Sequence, residues 1–284
     1  MKRRLGVALA LLGAAAVVVM SLPLYERFFG RKRLRFPYLA RPIPAATYAA
    51  LAAKPGWSKA ELAMTEGIKL RGLVRRPSAG GKPWVLFFPG NDESQLERGQ
   101  GFLIRLGGEA DLGLAVFGYR GYDASDGKSE LESIRADAPR IVSQLCQAEG
   151  LRPNQLHLAG FSIGGHFAVH AARGTAESGQ PAASLTLLAP VHDIVMYHAS
   201  RFEKLSAGED YQTGPYLAGV PAPVLVLQGS ADQTLDGAVQ GRAIATALGE
   251  RAKYVELEGV GHVPILENDK ALEAMRDFVQ QHTR

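Results

Sequence analysis

The sequence predicts an α/β protein whose strands form a mostly parallel sheet with helices on both faces. Three observations carry this. Strand-like and helix-like segments alternate from about Lys54 to the C-terminus. Several strand candidates, such as "PWVLFFPG" at 83–90, are continuous apolar runs, the pattern of strands buried on both faces. And "LHLAGFSIGGHFAVHAA" at 156–172 passes without a linker from a strand pattern to a helix pattern across Ser162, which is hemmed in by Gly160, Gly164 and Gly165.

Taken in order, residues 41–55 read as a linker and a short helix. "AELAMTE" (60–66) and "IKLRGLVRRP" (68–77) form an antiparallel opening pair turning at Gly67. The next strands are "PWVLFFPG", "LGLAVFGYRG" (112–121), "QLHLAGF" (155–161), "SLTLLAP" (184–190), "APVLVLQG" (222–229) and "AKYVELEG" (252–259). Helices are expected at 95–106, 133–148, 163–173, 238–248 and 270–281, the third of them ended by Gly174. A stretch of aromatics and small residues around 191–220 reads as a short cap over the site.

The formal charge of +4 over 284 residues conceals an asymmetry. Residues 1–41 carry nine basic side chains against Glu26 alone, a net of +8, so the other 243 residues hold 23 basic and 27 acidic side chains, a net of −4. The body is mildly acidic, and nucleic acid is not an expected partner. The basic stretch brackets 20 uncharged residues, 5–24, long enough as a helix to cross a bilayer's hydrocarbon core. Residues 1–41 are therefore expected to be a membrane anchor with a basic juxtamembrane segment, ahead of a domain at 42–284. A cleaved signal leading to a secreted or periplasmic protein, and a buried helix, stay open as alternatives. Basic clusters on both flanks leave the topology undecided. The single cysteine, Cys146, excludes an intramolecular disulfide and sits in an amphipathic helix pattern, where it reads as packing.

In a parallel sheet, ligands sit beyond the C-terminal strand ends, so the loop after each strand carries the function. Glycines two residues before and after a serine permit a sharp strand-to-helix corner with the hydroxyl raised clear of the sheet. A serine needs a neighbouring base to take its proton, and the base needs a third group to orient it. Asp232 follows the seventh strand and His262 the eighth, giving the chain order Ser, Asp, His. Each alone reads more simply, Asp232 as a turn or cap residue and His262 as a loop histidine; the conjunction makes them candidate catalytic residues. Asp193, after the sixth strand, is the alternative acid.

With "GFSIGG", "QGSADQTL", "GVGHVPI", "FFPGN" and "YRGYDASDGKSE", the chain from about Pro83 onward resembles the α/β-hydrolase superfamily, and within it the membrane-tethered BEM46/ABHD13-like branch. The resemblance implies the α/β-hydrolase fold with an eight-stranded sheet, a nucleophile at Ser162, an acid at Asp232 and a base at His262. It departs at Pro89, where many relatives carry a histidine. Oxyanion donors are expected at the backbone N–H of Ile163 and, from the loop after the third strand, of Asn91, since Pro89 has none. For Gly90 and Asn91 a plain turn is the competing reading.

The remaining histidines are expected to do no chemistry: His157, His166 and His170 pack or face solvent, and His192 and His198 shape the cap. The sequence holds no H-E-x-x-H, paired-Cys or calcium-loop pattern, no P-loop lysine and no dinucleotide fingerprint, so neither metal nor cofactor is expected. The expected activity is hydrolysis of a carboxylic ester or thioester, small or lipid-like, through an acyl-Ser162 intermediate. Amide cleavage or acyl transfer on the same groups, a haloperoxidase-like or lyase activity, and a catalytically silent fold serving as a membrane-tethered binding protein remain alternatives.

Overall fold

A computed structural model of the protein describes residues 41–91, 94–193, 212–235 and 237–283. The apolar stretch 5–24 with its basic flanks, and 194–211 in the middle of the expected cap, lie outside the described residues, as does His198.

Among the described residues the eight strands are β1 (Trp57–Ala63), β2 (Lys69–Arg75), β3 (Trp84–Phe88), β4 (Gly113–Phe117), β5 (Leu156–Phe161), β6 (Ser184–Leu188), β7 (Val224–Gly229) and β8 (Ala252–Leu257). They form one sheet in the order β1-β2-β4-β3-β5-β6-β7-β8. β2 runs antiparallel to both of its neighbours, and every later pairing is parallel. All residues of β3 to β7 are buried, as their largely apolar sequences favour, with His157, Ser184, Thr186 and Gln228 the polar exceptions, whereas the edge strands β1 and β8 alternate with exposed positions.

The helices are α1 (Ala45–Ala52), α2 (Gln95–Gly107), α3 (Leu131–Glu149), α4 (Ile163–Glu177), α5 (Gly214–Leu217), α6 (Gly237–Leu248) and α7 (Asp269–Gln281). On one face α1, α2 and α7 bury Leu51, Phe102, Leu103, Met275 and Phe278 against Val85, Phe87, Val116 and Leu225. On the other α3 packs on α4, α4 on α5 and α5 on α6. Capping explains where two of these helices start. Ser94 accepts from the Glu97 N–H at 3.3 Å ahead of α2, and Asn268 accepts from the Ala271 N–H at 3.1 Å ahead of α7.

Two of the boundaries that differ from the sequence reading have a visible cause. β1 lies three residues earlier than expected, because the chain leaves the strand for a turn in which Glu66 and Gly67 both adopt positive φ (62° and 71°). α4 runs past Gly174 to Glu177. Gly174 is there for close approach: a Cβ would fall 2.4 Å from the Cβ of Pro139, which lies inside α3, so the two helices meet where neither can tolerate more bulk.

The buried His157 on β5 lies with Nδ1 2.8 Å from Ser184 Oγ and Nε2 3.3 Å from Thr283 Oγ1. Burial, with a smaller contribution from the nearby His282, lowers its pKa from 6.5 to about 4. The unfolded chain therefore binds a proton between those values that the folded chain does not, and stability falls as pH drops from 6.5 to 4, then levels. In this window a His157→Gln variant is expected to show a pH-dependent loss smaller by about 3 kcal/mol than the parent's. Urea unfolding at pH 7 and pH 4 measures the difference.

Candidate active site

Ser162, His262 and Asp232 come together from three strand ends. Ser162 Oγ lies 3.0 Å from His262 Nε2, and His262 Nδ1 lies 2.7 Å from Asp232 Oδ2. Each position has a local cause. Ser162 sits between β5 and α4 with φ 53° and ψ −125°, a backbone that side chains other than glycine's rarely adopt. Its N–H donates to Leu188 O at 2.9 Å, tying the corner to β6.

The flanking glycines are required sterically. A Cβ on Gly160 would fall 2.5 Å from Gly164 O, and one on Gly164 would fall 2.1 Å from Phe88 O and 2.4 Å from Pro89 O. Gly165 differs, since its added Cβ would meet Leu187 and Pro190 at 3.4 Å and Gly160 O at 3.8 Å, all ordinary contact distances.

Asp232 and His262 are buried, and their loops are knitted to each other. Ala231 N–H donates to Val260 O at 3.0 Å, Gly259 N–H to Ser230 Oγ at 2.9 Å, and Ser230 N–H to Leu257 O at 3.0 Å. The Asp232 carboxylate also accepts from the N–H groups of Thr234 and Leu235, both at 2.9 Å, and from Gln228 Nε2 at 3.2 Å. Burial alone would raise its pKa, but the hydrogen bonds from His262, Leu235 and Thr234, with the charge of His262, outweigh it and hold the carboxyl below the usual carboxylate value. Phe161 lies beside the imidazole, ring centroids 4.9 Å apart.

With Asp232 on Nδ1, Asp193 stands elsewhere. Its carboxylate accepts from Gln212 Nε2 at 3.2 Å, and its N–H donates to Gln240.

The N–H of Ile163 opens α4, where a first-turn N–H has no acceptor within the helix and the positive end of the helix dipole faces the serine. Asn91 follows β3, and the loop that carries it is held from behind. Tyr119 Oη donates to Pro89 O at 2.8 Å, Gln95 Nε2 to Gly90 O at 3.1 Å, and Tyr122 Oη to Asn91 Oδ1 at 2.7 Å. Gln95 Oε1 in turn accepts from the Tyr119 N–H at 3.0 Å.

The β4 loop supplying these tyrosines is itself braced. Arg120 makes a bidentate pair with Asp137 of α3 at 2.5 and 2.9 Å, both side chains buried. Asp123, also buried, accepts from Ser94 Oγ and the Leu96 N–H at 3.0 Å each. Sequence reasoning missed Gln95, Tyr119, Tyr122, Asp123 and Gln228 as supports of the site. The "YRGYDASDG" stretch was visible, but a hydroxyl's reach across two loops has no signature in spacing.

Other described histidines stand away from the Ser162, His262 and Asp232 cluster. His166, fully buried, takes Arg135 Nε–H on Nε2 at 3.2 Å and faces Thr213 Oγ1 from Nδ1 at 3.0 Å. Burial, then the positive charge of His170 and Arg135, lowers its pKa well below 6.5, so Nδ1 carries the proton toward Thr213 while Nε2 accepts. His170 stacks near Tyr216 of α5, ring centroids 4.2 Å apart. His192 packs against Gly214 and is partly exposed. Cys146 is buried in α3, and burial raises its thiol to about 11. Among the described residues no three metal-ligating side chains gather, and no helix is long and apolar enough to cross a membrane.

Comparison with known proteins extends this picture. No family model matches the chain. It is 28% identical over 283 residues to the uncharacterized protein Rv2307c of Mycobacterium tuberculosis H37Rv, covering 96% of this chain and 95% of the relative. It is 24% identical over 217 residues to human alpha/beta hydrolase domain-containing protein 17B, covering 76% and 73%. Among solved structures it is similar to the alpha-beta hydrolase from Vibrio vulnificus, with a TM-score of 0.66, 22% identity and coverage of 86% and 87%. The chain has the α/β-hydrolase fold.

The glycine geometry makes an unequal prediction for neighbours. Gly164→Ala is expected to destabilise the protein by at least about 3 kcal/mol, or to prevent folding, because its new methyl meets two carbonyl oxygens. Gly165→Ala is expected to stay within about 1 kcal/mol of the parent. Urea midpoints of the two variants, measured side by side, check both.

Proposed function

We propose that the protein is a serine hydrolase that cleaves a carboxylic ester or thioester through an acyl-Ser162 intermediate. The observation that carries this is the relay Ser162 Oγ, His262 Nε2, His262 Nδ1, Asp232 Oδ2, at 3.0 and 2.7 Å, on a serine held in a strained backbone at a strand-to-helix corner. The hydrolase fold and the name of the human relative support the same class.

In this reading Ser162 Oγ attacks the carbonyl carbon as its proton passes to His262 Nε2. Asp232 holds Nδ1–H and stabilises the imidazolium. The carbonyl oxygen, now negative, lies between the N–H of Ile163 and that of Asn91. His262 then gives its proton to the leaving alkoxide or thiolate as the tetrahedral centre collapses to the acyl-enzyme. Water, deprotonated by His262, attacks the acyl carbon, and the acid leaves as Ser162 recovers its proton. Another acceptor in place of water would give acyl transfer, and an amide would follow the same path.

We further propose that residues 5–24 tether the domain to a bilayer, with the basic residues on their flanks against anionic headgroups. This would place lipid-like or acylated substrates within reach.

Ser162→Ala and His262→Ala are each expected to lower kcat on p-nitrophenyl esters by about 1000-fold or more and to abolish labelling by a fluorophosphonate. A parent that is folded yet neither labels nor turns over esters would instead favour a binding role. For the tether, the full chain should stay with membranes through an alkaline carbonate wash; release into the wash would refute it.

A further inference from the structure

A cleft beside the site bears on which ester is cleaved. It has a volume of about 730 Å³ and begins at Asn91 and Val263, the residue after His262. From there it follows α2. Ser94, Arg98, Gly101 and Arg105 line it at helical spacing, so one face of the helix forms its wall over roughly 16 Å. Ile43 contributes apolar surface, as does Val263, which at 40% exposure is one of two exposed large hydrophobics among the described residues; Phe102 and Leu266 form the buried floor, and Arg41 and Glu97 add charged groups at the rim. The ion pair of Arg105 with Glu267, at 3.5 Å, marks the far end. The arginine stems extend the apolar lining while their guanidinium groups reach water.

Gly101 gives the cleft its depth. Glycine inside a helix costs about 1 kcal/mol relative to alanine, so an interior glycine calls for a reason. For Gly99 the reason is packing, because a Cβ there would fall 2.6 Å from Val116 Cγ2. For Gly101 no packing demands it: an added Cβ would meet nothing within 4 Å and would project from the lining of the cleft. What its smallness preserves is open length.

We propose that this cleft holds the acyl chain of the substrate, that the substrate class is an ester or thioester of a medium-to-long unbranched acyl group, and that Gly101 sets the chain length accepted. This rests on the acyl-Ser162 reading. An acyl group bonded to Ser162 and pointing past Asn91 and Val263 would lie along α2, with its methylenes against Ile43, Val263 and the stems of Arg98 and Arg105. A side chain at position 101 would stop it partway.

The test uses the full chain in detergent, as parent, Gly101→Ala and Gly101→Leu, with p-nitrophenyl acetate, butyrate, octanoate and laurate. Both substitutions favour helix, so the variants should fold, and fluorophosphonate labelling reports the reacting centre independently of the cleft. The expected result is that the kcat/KM ratio of laurate to acetate falls at least about tenfold in Gly101→Leu and by less in Gly101→Ala. An unchanged ratio with labelling intact overturns the cleft assignment while leaving the hydrolase reading in place. So does an effect that appears only when the alcohol chain of an acetate ester is lengthened. A parent that neither labels nor turns over any ester brings down the hydrolase reading, and this inference with it.

Discussion

The structure depends on a contact too close for any side chain. Where β5 turns into α4, the α-carbon of Gly164 lies against the carbonyls of Phe88 and Pro89, and Gly160 lies against the backbone of Gly164 and Gly165. That approach brings the end of β3 and the start of α4 together. It also leaves Ser162 no relaxed conformation, so the strain of a positive φ at a residue with a Cβ, about 1–3 kcal/mol, must be offset by the sheet and helix on either side. The fully buried strands flanking the corner supply that support.

Around this corner the candidate site has two layers. Ser162, Asp232 and His262 stand on three strand ends, and a second set of polar groups holds their loops. On the Asp232 and His262 side the β7 and β8 loops bond to each other, and Asp232 accepts from four donors. On the other side the β3 loop hangs from Gln95 of α2 and from Tyr119 and Tyr122, whose own loop is fixed by Asp123 and by the buried Arg120 and Asp137 pair. A buried ion pair contributes little net stability after desolvation, but breaking it leaves a charge without a partner. Here it fixes the loop that bears two of the tyrosine hydroxyls, so its weight falls on geometry at the site.

Much of this was legible in the sequence, and the reason is local. The inner strands are largely apolar because both faces are covered, and the corner is written in two glycines spaced around a serine. Asp232 and His262 could be read because strand order fixes which loops can meet. The features that escaped were of longer range. The tyrosine and glutamine hydrogen bonds cross 5 to 31 residues to reach a carbonyl or an amide, and no periodicity marks them. The continuation of α4 past Gly174 escaped for a related reason, since that glycine answers to Pro139 on another helix. Asp193 and Asp232 both follow strands and differ only in which one the fold places by the imidazole.

The central claim is that Ser162, with the N–H groups of Ile163 and Asn91, forms one preorganised site for a tetrahedral acyl centre. It is tested most directly by a crystal structure of the protein after reaction with an alkyl fluorophosphonate. The account predicts a phosphorus atom bonded to Ser162 Oγ, with a phosphoryl oxygen about 2.7–3.1 Å from both N–H groups. An adduct on another residue, or an oxygen turned away from Ile163 and Asn91 while Ser162 carries the phosphorus, would contradict it.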